Sequence, residues 1–405
     1  MRKNMYNHTS RREFLRSTGK IAAASALAGI VPPHVHAAEN NIIQVALVGC
    51  GGRGTGAVSN ALSNSSGPIK LVAMADVFEN RLKNSCHQLK KQFGDKIDVP
   101  QEHKFVGFDG YQQAMDCLKE NDVVIMATPP AFRWVHFGYA IKKGINVFME
   151  KPISVDGPSA RKMFALAEES VKRNLKVGVG LMWRHCPARR ELNECIGSGQ
   201  IGDIHMMRAY RMHGPIASFR SDPKPEGISE LLYQIKRFHS FLWASGGCFS
   251  DYNIHSIDEC CWMKGAWPIQ AQSSGGRNYR GNSVDQNFDN YSVEYTFADG
   301  AKLFFYGRCI MGCLEAFDSY AHGTKGLASI TNTRIFKGQN PTKADTVWKN
   351  SRSGDWGYGI EWKDLINAIR QDKPYNEAAR GNQASLVTSM GRMAAHTGQL
   401  VTYDQ

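Results

Sequence analysis

The sequence lacks several features that would define its class at once. Its 405 residues contain no internal repeat, low-complexity tract or long linker, which excludes solenoid and fibrous architectures. Beyond the N-terminal segment discussed below, no apolar run approaches the length needed to span a bilayer. The ten cysteines show no zinc-finger spacing, and only Cys260-Cys261 and Cys309-x3-Cys313 are close in sequence. We therefore expect a globular protein with mostly buried free thiols, although disulfides could form after export.

Positively charged residues are in moderate excess over negatively charged ones. The net charge is +12, with 21% charged and 42% hydrophobic residues. Residues 1–37 hold six Lys or Arg and one acid, so +5 belongs to that segment and +7 to the rest. The remainder is spread along the chain without a basic run or an RNA-binding motif. This argues against nucleic-acid binding and indicates a mildly basic surface.

The N-terminal segment is typical of an export signal. Ser10-Arg11-Arg12-Glu13-Phe14-Leu15-Arg16 fits the twin-arginine pattern, and a weakly apolar segment runs from Ile21 to Val31. Val35-His36-Ala37 then offers a site for a signal peptidase. We predict that residues 1–37 are a twin-arginine signal peptide and that the protein is periplasmic or otherwise exported. A chance arginine pair would not explain the surrounding pattern.

The next segment predicts a dinucleotide-binding turn. A strand over 41–48 leads into Gly49-Cys50-Gly51-Gly52-Arg53-Gly54, and a helix follows from 55 to about 63. In a strand, G-x-G-x-x-G, helix arrangement the glycines allow a tight turn and close approach of a pyrophosphate to the helix N-terminus. A second strand, 70–76, ends in Asp76, which can bind ribose hydroxyls and would repel a 2′-phosphate. We predict NAD rather than NADP; an incidental glycine-rich turn is the alternative.

Strand and helix patterns alternate up to residue 182. Helices are predicted over 79–93, 110–118, 133–143 with Gly144 as C-cap, and 157–174, and strands over 122–127, 146–149 and 175–181. Two of these strands end in Thr128-Pro129-Pro130 and Glu150-Lys151-Pro152. The alternation predicts an α/β fold in which residues 38–182 form a doubly wound parallel sheet, the Rossmann NAD-binding domain.

The composition changes near Trp183. Alternating strands are predicted over 204–212, 290–297 and 301–306, the last two joined by the hairpin signal Ala298-Asp299-Gly300, and helices over 361–370 and 384–396. We predict that residues 183–405 form a C-terminal α+β domain for substrate binding and oligomerisation, with a large, mostly antiparallel open sheet. An open sheet favours a homo-oligomer, either a dimer or a tetramer.

These motifs resemble the Gfo/Idh/MocA oxidoreductase family over nearly all of the chain after the signal. The resemblance is carried by the glycine loop, Asp76, Thr128-Pro129-Pro130, Glu150-Lys151-Pro152 and a later Asp251-x3-His255-x2-Asp258. It implies a lysine beside the nicotinamide, often with a cis Lys-Pro bond, and an acid/base histidine in the Asp-x3-His helix. Asn253 stands where such dehydrogenases commonly have glycine, and only Gly246-Gly247 precede it.

A finer resemblance is to an exported bacterial subgroup rich in sugar-active members. It is carried by the runs 180–185, 275–277, 322–326 and 390–392, which read GLMWRH, GGR, HGTKG and MGR. The substrate class that we expect, a sugar, glycoside or polyol, comes from this resemblance.

The proposed chemistry depends on three residues. Asp251, His255 and Asp258 are spaced i, i+4 and i+7, so they share one face if the segment is helical. Histidine suits removal of a hydroxyl proton, and a lysine ammonium stabilises negative charge on the same oxygen. We assign His255 as acid/base, Lys151 as the group that polarises the oxygen, and Asp251 as the residue that orients His255 or binds a substrate hydroxyl. Zinc binding by the triplet is a weaker alternative, no metal is expected, and Asp258 is given a structural role.

Further side chains are candidates for binding. The predicted cofactor contacts are Gly49, Gly51, Gly52, Arg53, Gly54, Asp76, Thr128, Pro129, Pro130, His136, Glu150 and Lys151. The predicted substrate contacts are Lys151, Arg184, His185, Asp251, Tyr252 and His255. Tyr210 and Trp243 could stack on a sugar ring, but core packing is the more common explanation for each. Arg133 could contact the cofactor or the substrate, and a helix-surface role explains it equally well.

The sequence thus predicts an exported oxidoreductase that carries tightly bound NAD and acts on a sugar, glycoside or polyol. Two alternatives remain open: a redox-assisted glycosidase that uses the same cofactor, and a nucleotide- and sugar-binding protein without catalytic activity.

Overall fold

The structure of the protein is a computed structural model that describes residues 41–278, 280–350 and 356–405. The predicted signal peptide, residues 1–37, lies outside the described residues. In the described part of the chain, no helix combines the length and the apolar composition that a membrane crossing requires.

The N-terminal half of the chain contains a parallel sheet. Its strands in the described chain are β1 (Ile43–Val48), β2 (Ile69–Asp76), β3 (Lys104–Val106), β4 (Val123–Met126), β5 (Asn146–Met149) and β6 (Val177–Val179), in the order β3-β2-β1-β4-β5-β6. This is the doubly wound order, and the change of direction between β1 and β4 places a crevice at their carboxyl ends. The sequence patterns predicted all of these strands except β3, a three-residue edge strand without a buried residue.

Helices cover both faces of this sheet, which explains its nearly continuous apolar strands. They are α1 (Gly52–Leu62), α2 (Glu79–Phe93), α3 (Gly110–Asp116), α4 (Arg133–Lys143) and α5 (Gly157–Lys172). As predicted, α4 ends at Gly144, whose φ of 71° is left-handed. Asp156 and Ser159 form a capping box that starts α5.

The C-terminal half contains a second, mixed sheet. Its strands in the described residues are β7 (Ile204–His213), β8 (Gln270–Gly276), β9 (Asn290–Thr296), β10 (Lys302–Cys309), β11 (Ala316–Gly323), β12 (Gly326–Ser329), β13 (Arg334–Lys337), β14 (Thr346–Lys349) and β15 (Val401–Thr402). The order is β14-β13-β12-β11-β7-β10-β9-β8-β15. Only the pair β7–β10 is parallel among these described strands. The predicted mostly antiparallel sheet is confirmed.

The C-terminal half also contains six α-helices in the described residues. They are α6 (Pro187–Gly197), α7 (Glu230–Lys236), α8 (Leu242–Ser245), α9 (Gly247–Lys264), α10 (Tyr358–Arg370) and α11 (Ala378–Thr397). Met207 and Ala209 of β7 are fully buried in the same core as Ile257 of α9. Because side chains alternate along a strand, Arg208 and Tyr210 lie on the opposite face of the sheet.

Helix α10 belongs by packing to the N-terminal sheet. Its Trp362 is fully buried and stacks on Phe148 of β5 with ring centroids 4.4 Å apart. Leu365 and Ile366 join the same core. All strands of the first sheet lie before the predicted boundary between residues 182 and 183, and all strands of the second sheet lie after it. The hydrophobic core of the first domain nevertheless includes α10, which comes much later in the chain. The boundary therefore stays a prediction.

Candidate active site

The glycine loop leaves its backbone open to a large cleft. Gly49 has a φ of 98°, and a Cβ there would lie only 2.6 Å from the backbone of Ala127, so only glycine fits. By contrast, nothing lies within 4 Å of where a Cβ would stand on Gly51 or Gly52. Gly52 begins α1, so the N–H groups of its first turn face this opening. No acidic side chain in that turn competes with an anionic ligand for them. The loop fits the pyrophosphate of a dinucleotide.

Asp76 lies at the end of β2, beside the glycine loop. Its Oδ2 accepts a hydrogen bond from the backbone N–H of Cys50 at 2.7 Å, and its Oδ1 accepts one from Phe78 at 2.8 Å. These bonds hold the carboxylate at the edge of the cleft. Each oxygen retains a lone pair that a ribose hydroxyl could use. The position therefore fits the adenine ribose of NAD.

The opposite wall of the cleft is built from the turn after β4 and the start of α4. Arg133 is buried and donates from Nη2 to the carbonyl oxygen of Thr128 at 2.9 Å. The Thr128 hydroxyl lies 3.2 Å from Nδ1 of His136, which also stacks on Tyr111. Burial, and then the charge of Arg133, lowers the pKa of His136 to about 3. His136 is therefore a neutral group that shapes the wall.

The cleft has a volume of about 910 Å³, which suits a dinucleotide together with a small ligand. Most of the predicted site residues line it: Gly49, Gly51, Gly52, Arg53, Gly54, Asp76, Thr128, Pro129, Pro130, His136, Glu150, Lys151, Asp251 and Tyr252. The structure thus brings together residues that are up to 203 positions apart, from Gly49 to Tyr252.

One part of the C-terminal domain extends over this cleft. We call residues 214–245 the cover segment; Ser218, Ile235, Lys236, Phe238 and His239 of this segment line the cavity. Arg81 of α2 donates from Nη2 to the carbonyl oxygen of Lys236 at 3.2 Å. Phe132 and Trp243 make an edge-to-face contact with centroids 6.0 Å apart. The cover segment therefore contacts the nucleotide-binding domain on both sides of the cleft.

Glu150 has a structural role at the end of β5. Its Oε1 accepts a hydrogen bond from Nε of Arg53 at 2.6 Å, and the pair links the glycine loop to β5. A Cβ on Gly180 would lie 2.7 Å from Oε2 of Glu150, so glycine is needed there to seat the carboxylate. Glu150 therefore shapes the loop and also lines the cleft, where it was predicted to contact the cofactor.

Lys151 joins the two domains at the inner end of the cleft. Its Nζ donates to the backbone carbonyl oxygen of Asp251 at 2.5 Å and lies 3.6 Å from the carboxylate Oδ1 of the same residue. The Lys151-Pro152 peptide is cis, as the resemblance implied. The side chains of Lys151 and Asp251 are 14% and 10% exposed, so both are mostly shielded from water yet open to the cleft.

The segment that carries Asp251 is helical, which confirms the geometric premise of the predicted motif. Gly246 and Gly247 both have positive φ values, 76° and 77°, and α9 starts directly after this turn. Asn253 is buried where the resemblance predicted glycine. The space is provided by Gly307 of β10, where a Cβ would lie 2.8 Å from Nδ2 of Asn253.

His239 is a cleft residue that the sequence patterns did not identify. Its Nε2 lies 3.5 Å from Oδ2 of Asp251, and its Nδ1 lies 2.9 Å from the hydroxyl of Ser218. The ring stacks on Tyr252 at 5.5 Å and 12°. Burial lowers the pKa of His239; the charge of Asp251 opposes this effect and that of Lys151 adds to it. His239 lies in the cover segment, without a motif that could have singled it out.

His255 lies one helical turn beyond Asp251, outside the lining of the cleft. Its ring contacts Trp183 at 5.1 Å, and neither ring nitrogen makes a hydrogen bond with any described residue. Burial lowers the pKa of His255 well below 6.5, and the charges of Lys151 and Arg211 lower it further. His255 is therefore a neutral, unbonded imidazole beside the predicted site.

Arg184 and His185 are engaged in ion pairs away from the cleft. Arg184 binds both oxygens of Asp258, at 2.8 and 2.7 Å. His185 lies between the carboxylates of Asp364 and Glu377, at 2.8 and 3.0 Å. The geometry supports the structural role predicted for Asp258. Substrate contact by Arg184 and His185 stays a prediction that this arrangement does not favour.

The aromatic candidates separate by position. Tyr252 lines the cleft, whereas Tyr210 stacks on Tyr306 on the opposite face of the second sheet. Trp243 is 39% exposed and contacts Phe132 at the outer edge of the cover segment. Tyr252 is thus the candidate whose ring is placed to meet a ligand.

The cysteines and possible metal ligands carry no further chemistry in the site. All ten cysteines are described and are free thiols, six of them buried, as expected. Cys309 lies near Cys248, with 3.7 Å between the sulfur atoms, rather than near Cys313. No cluster of three or more His, Cys, Asp or Glu side chains suited to a metal ion occurs within residues 41–278, 280–350 and 356–405.

Similarity to known proteins agrees with this geometry. Residues 43–180 match the model of the Gfo/Idh/MocA oxidoreductase family with an NAD-binding Rossmann fold. The chain is 24% identical over 284 residues to the rhizopine catabolism protein MocA of Rhizobium meliloti, covering 69% of this chain and 78% of that protein.

Two solved structures share the fold. The scyllo-inositol dehydrogenase of Lactobacillus casei with bound NAD(H) and scyllo-inositol has a TM-score of 0.64 at 21% identity, over 90% of this chain and 100% of the other. The aldose-aldose oxidoreductase of Caulobacter crescentus complexed with glycerol has a TM-score of 0.66 at 16% identity, over 89% and 99%. The nucleotide cleft and the two-sheet fold agree with the match of residues 43–180 to the NAD-binding Rossmann fold of this oxidoreductase family.

Proposed function

We propose that the protein is an exported oxidoreductase that transfers hydride between tightly bound NAD and a hydroxyl or keto carbon of a sugar, glycoside or polyol. The observation that carries the proposal is the contact of Lys151 with Asp251 at the inner end of the nucleotide cleft. It brings together an ammonium group and a carboxylate from different domains where a substrate could meet the cofactor.

The residues of the chain divide the chemistry between them. NAD, when bound, supplies the hydride acceptor for oxidation of an alcohol. Lys151 donates a hydrogen bond to the substrate oxygen and stabilises the negative charge that develops there. An imidazole accepts the hydroxyl proton, so that loss of this proton together with hydride converts the alcohol to a ketone. Asp251 positions the imidazole or binds a neighbouring hydroxyl.

Two histidines compete for the proton-transfer role. His255 is the residue assigned from the motif, and its ring nitrogens have no hydrogen-bond partner among the described residues. His239 lines the cleft itself and lies 3.5 Å from Asp251. Burial lowers both pKa values, so each ring is neutral near pH 7 and can accept a proton. The two assignments differ in which substitution abolishes the proton-dependent step.

Retention of the cofactor is part of the proposal. Twin-arginine export carries folded proteins, and free NAD should be scarce outside the cytoplasm, so the cofactor would travel with the enzyme and be regenerated by a second sugar. The contacts of the cover segment with Arg81 and Phe132 support slow release of a nucleotide from the cleft. Purification without added NAD, followed by mass spectrometry of the denatured protein, should recover one nucleotide per chain. Nucleotide-free protein would argue strongly against retention.

The sugar, glycoside or polyol class is supported by relatives described as inositol dehydrogenases and an aldose oxidoreductase. The direct test is a screen of polyols, sugars and glycosides for reduction of the bound nucleotide, followed at the absorbance maximum of NADH. A positive signal from any of them, lost on substitution of Lys151, supports the proposal. If no compound of this class reduces the nucleotide, the proposed substrate class is wrong.

Two other functions make different predictions. A redox-assisted glycosidase would release the aglycone from a glycoside without net formation of NADH. A binding protein would take up a sugar without either reaction. The approach of Lys151 to Asp251 inside a nucleotide cleft favours an enzyme, because a binding protein has no need to bring these charges together there.

We also propose that the second sheet pairs with another copy of the chain. Its face opposite α9 carries large side chains, including Tyr210 stacked on Tyr306 and Arg208 over Tyr320. Such surfaces are commonly covered by a partner. Light scattering should give twice or four times the monomer mass, and substitution of Tyr306 by Asp should lower it.

A further inference from the structure

Arg211 on β7 has a cationic side chain without a counter-ion. Its guanidinium makes no hydrogen bond or ion pair with any described residue, and its Nε is shielded from water. The group lies 4.1 Å over the ring of Phe317, its neighbour in register on β11. An arginine carries five N–H donors, and leaving them unpaired away from water is costly. A ligand that supplies acceptors would remove this cost.

A series of contacts between aromatic rings connects Arg211 to His255, one of the two candidate acid/base residues. Phe317 lies 5.4 Å from Trp183, and Trp183 lies 5.1 Å from His255. His255, like Arg211, has no hydrogen bond with any residue in the described part of the chain. The positive charge of Arg211 contributes to lowering the pKa of His255, as that of Lys151 does. The charges of Arg211 and Lys151 therefore both act on the His255 imidazole.

The charges around His255 do not balance. Four cations act on it: Lys151, Arg53, Arg189 and Arg211. The first three have carboxylate partners: Asp251 at 3.6 Å, Glu150 at 2.6 Å and Glu259 at 2.9 Å. Burial raises the pKa of Glu361 well above its ordinary value, and the charge of Glu150 raises it further. Of the four cations, Arg211 is the one that makes no ion pair with a carboxylate in the described residues, although the charges of Glu259 and Asp251 act on it from a greater distance.

We propose that the substrate is an anionic sugar whose oxyanion, in the first place a carboxylate, binds Arg211 while its reacting hydroxyl lies at Lys151. This inference rests on the proposed function and narrows its substrate class. A guanidinium binds a carboxylate through two parallel hydrogen bonds, which gives both affinity and orientation. The partly exposed ring of Phe317, which the guanidinium covers, supplies apolar surface for a sugar ring.

The test uses the purified protein with NAD bound and four probes. D-glucuronate and D-galacturonate carry a carboxylate, glucose 6-sulfate carries a different oxyanion, and D-glucose is neutral. Binding is measured by the shift of the unfolding temperature and hydride transfer by NADH absorbance. We expect the wild-type protein to bind a uronate about 10- to 100-fold more tightly than glucose. If glucose 6-sulfate is preferred instead, the oxyanion is a sulfate ester and the role of Arg211 stands.

Substitutions separate this role from a structural one. Arg211→Met should remove the preference for uronates, so that a uronate and glucose bind with similar affinity. Arg211→Lys should retain part of the preference because the charge remains. Arg208→Met is the matched control, since Arg208 lies on the same strand but on the opposite face, beside His322 and Tyr320. It should leave the preference intact.

The outcomes also distinguish the inference from the proposed function. If neutral polyols reduce the bound nucleotide and uronates do not bind, the anionic substrate is refuted and the oxidoreductase proposal stands. If uronates bind in an Arg211-dependent way but no probe is oxidised, the anion site stands and the proposed reaction fails. Equal binding of uronates by wild-type protein and Arg211→Met refutes the inference.

Discussion

The two halves of helix α9 (Gly247–Lys264) carry similar residues into different surroundings. In the first half, Asp251 faces the cleft with Lys151, and His255 has no hydrogen-bond partner among the described residues. In the second half, Asp258 and Glu259 are buried and bound by Arg184 and Arg189. The motif Asp251-x3-His255-x2-Asp258 therefore has its first two residues at the candidate site and its third in a buried ion pair that stabilises the fold.

The contrast shows how a functional charge can be recognised. Buried ionic groups in a scaffold are satisfied by partners within the chain, because an unpaired charge away from water is costly. Arg211 and His255 have no hydrogen-bond partner among the described residues, and they are the groups for which we propose contact with a substrate. Substitutions in the first half should change rates, and substitutions in the second half should change stability.

The largest effect is expected for Lys151→Met. Loss of the hydrogen-bond donor to the developing oxyanion should lower hydride transfer by about 10²- to 10³-fold. The rate is measured by single-turnover reduction of the bound nucleotide, and Lys142→Met, on the exposed side of α4, is the control. A rate within a few-fold of wild type would show that Lys151 has no such role.

Arg184→Met tests the scaffold half. Removing one partner of a buried pair leaves Asp258 uncompensated, and we expect the free energy of unfolding to fall by about 3 kcal/mol. Urea denaturation with NAD present measures this change, while hydride transfer per folded molecule should be unchanged. The double substitution Arg184→Met with Asp258→Leu should recover most of the loss. A rate defect without a stability defect would place Arg184 at the substrate instead.

The two histidines can be distinguished by His255→Gln and His239→Gln. The true acid/base residue should lose about 10²-fold in kcat, and the other should lose far less. Because burial lowers both pKa values below 6.5, the base is neutral at pH 7. In the wild-type protein, kcat/KM should therefore fall only as pH drops through a value below 6.5. This fall at acidic pH should be absent from the variant that lacks the acid/base histidine. A fall that persists in both variants would exclude both residues.

The smallest effect is expected at the cofactor end of the cleft. Asp76→Ala removes an acceptor for the ribose hydroxyls and should weaken NAD binding by about 10-fold while improving NADP binding. Calorimetric titration of nucleotide-free protein provides the measurement, with exposed Asp95→Ala as control. If the ratio of NAD to NADP affinity is unchanged, Asp76 does not bind the ribose hydroxyls.

The Rossmann half of the chain could be predicted because its signals are local. The glycine loop, Asp76 and the helix cap at Gly144 each depend on backbone geometry that neighbouring residues impose. The predicted bounds of α2 and α4 agree with the structure at both ends. Only β3 was missed, since three partly exposed residues carry too little pattern to identify a strand.

The C-terminal half depended more on contacts between distant residues. Arg184 follows a predicted strand and Arg211 lies within one. Nothing in the local pattern shows that Arg184 meets Asp258 while Arg211 makes no ion pair in the part of the chain that the structure describes. His239 enters the site only because the cover segment folds over a cleft built by residues before 152. Likewise, Asn253 fits its helix because Gly307, on a separate strand, leaves room for it.

The sequence alone therefore determined the nucleotide-binding turn, the position of Asp76 at the end of β2 and that of Lys151 at the end of β5, since these follow from short-range backbone rules. The tertiary structure decided which charges are paired. That outcome depends on burial and on distant partners such as Glu377, which lies 192 residues after His185 in the chain. Around Glu150-Lys151-Pro152, the chain supplied the lysine, and only the fold brought Asp251 to it and His239 to Asp251.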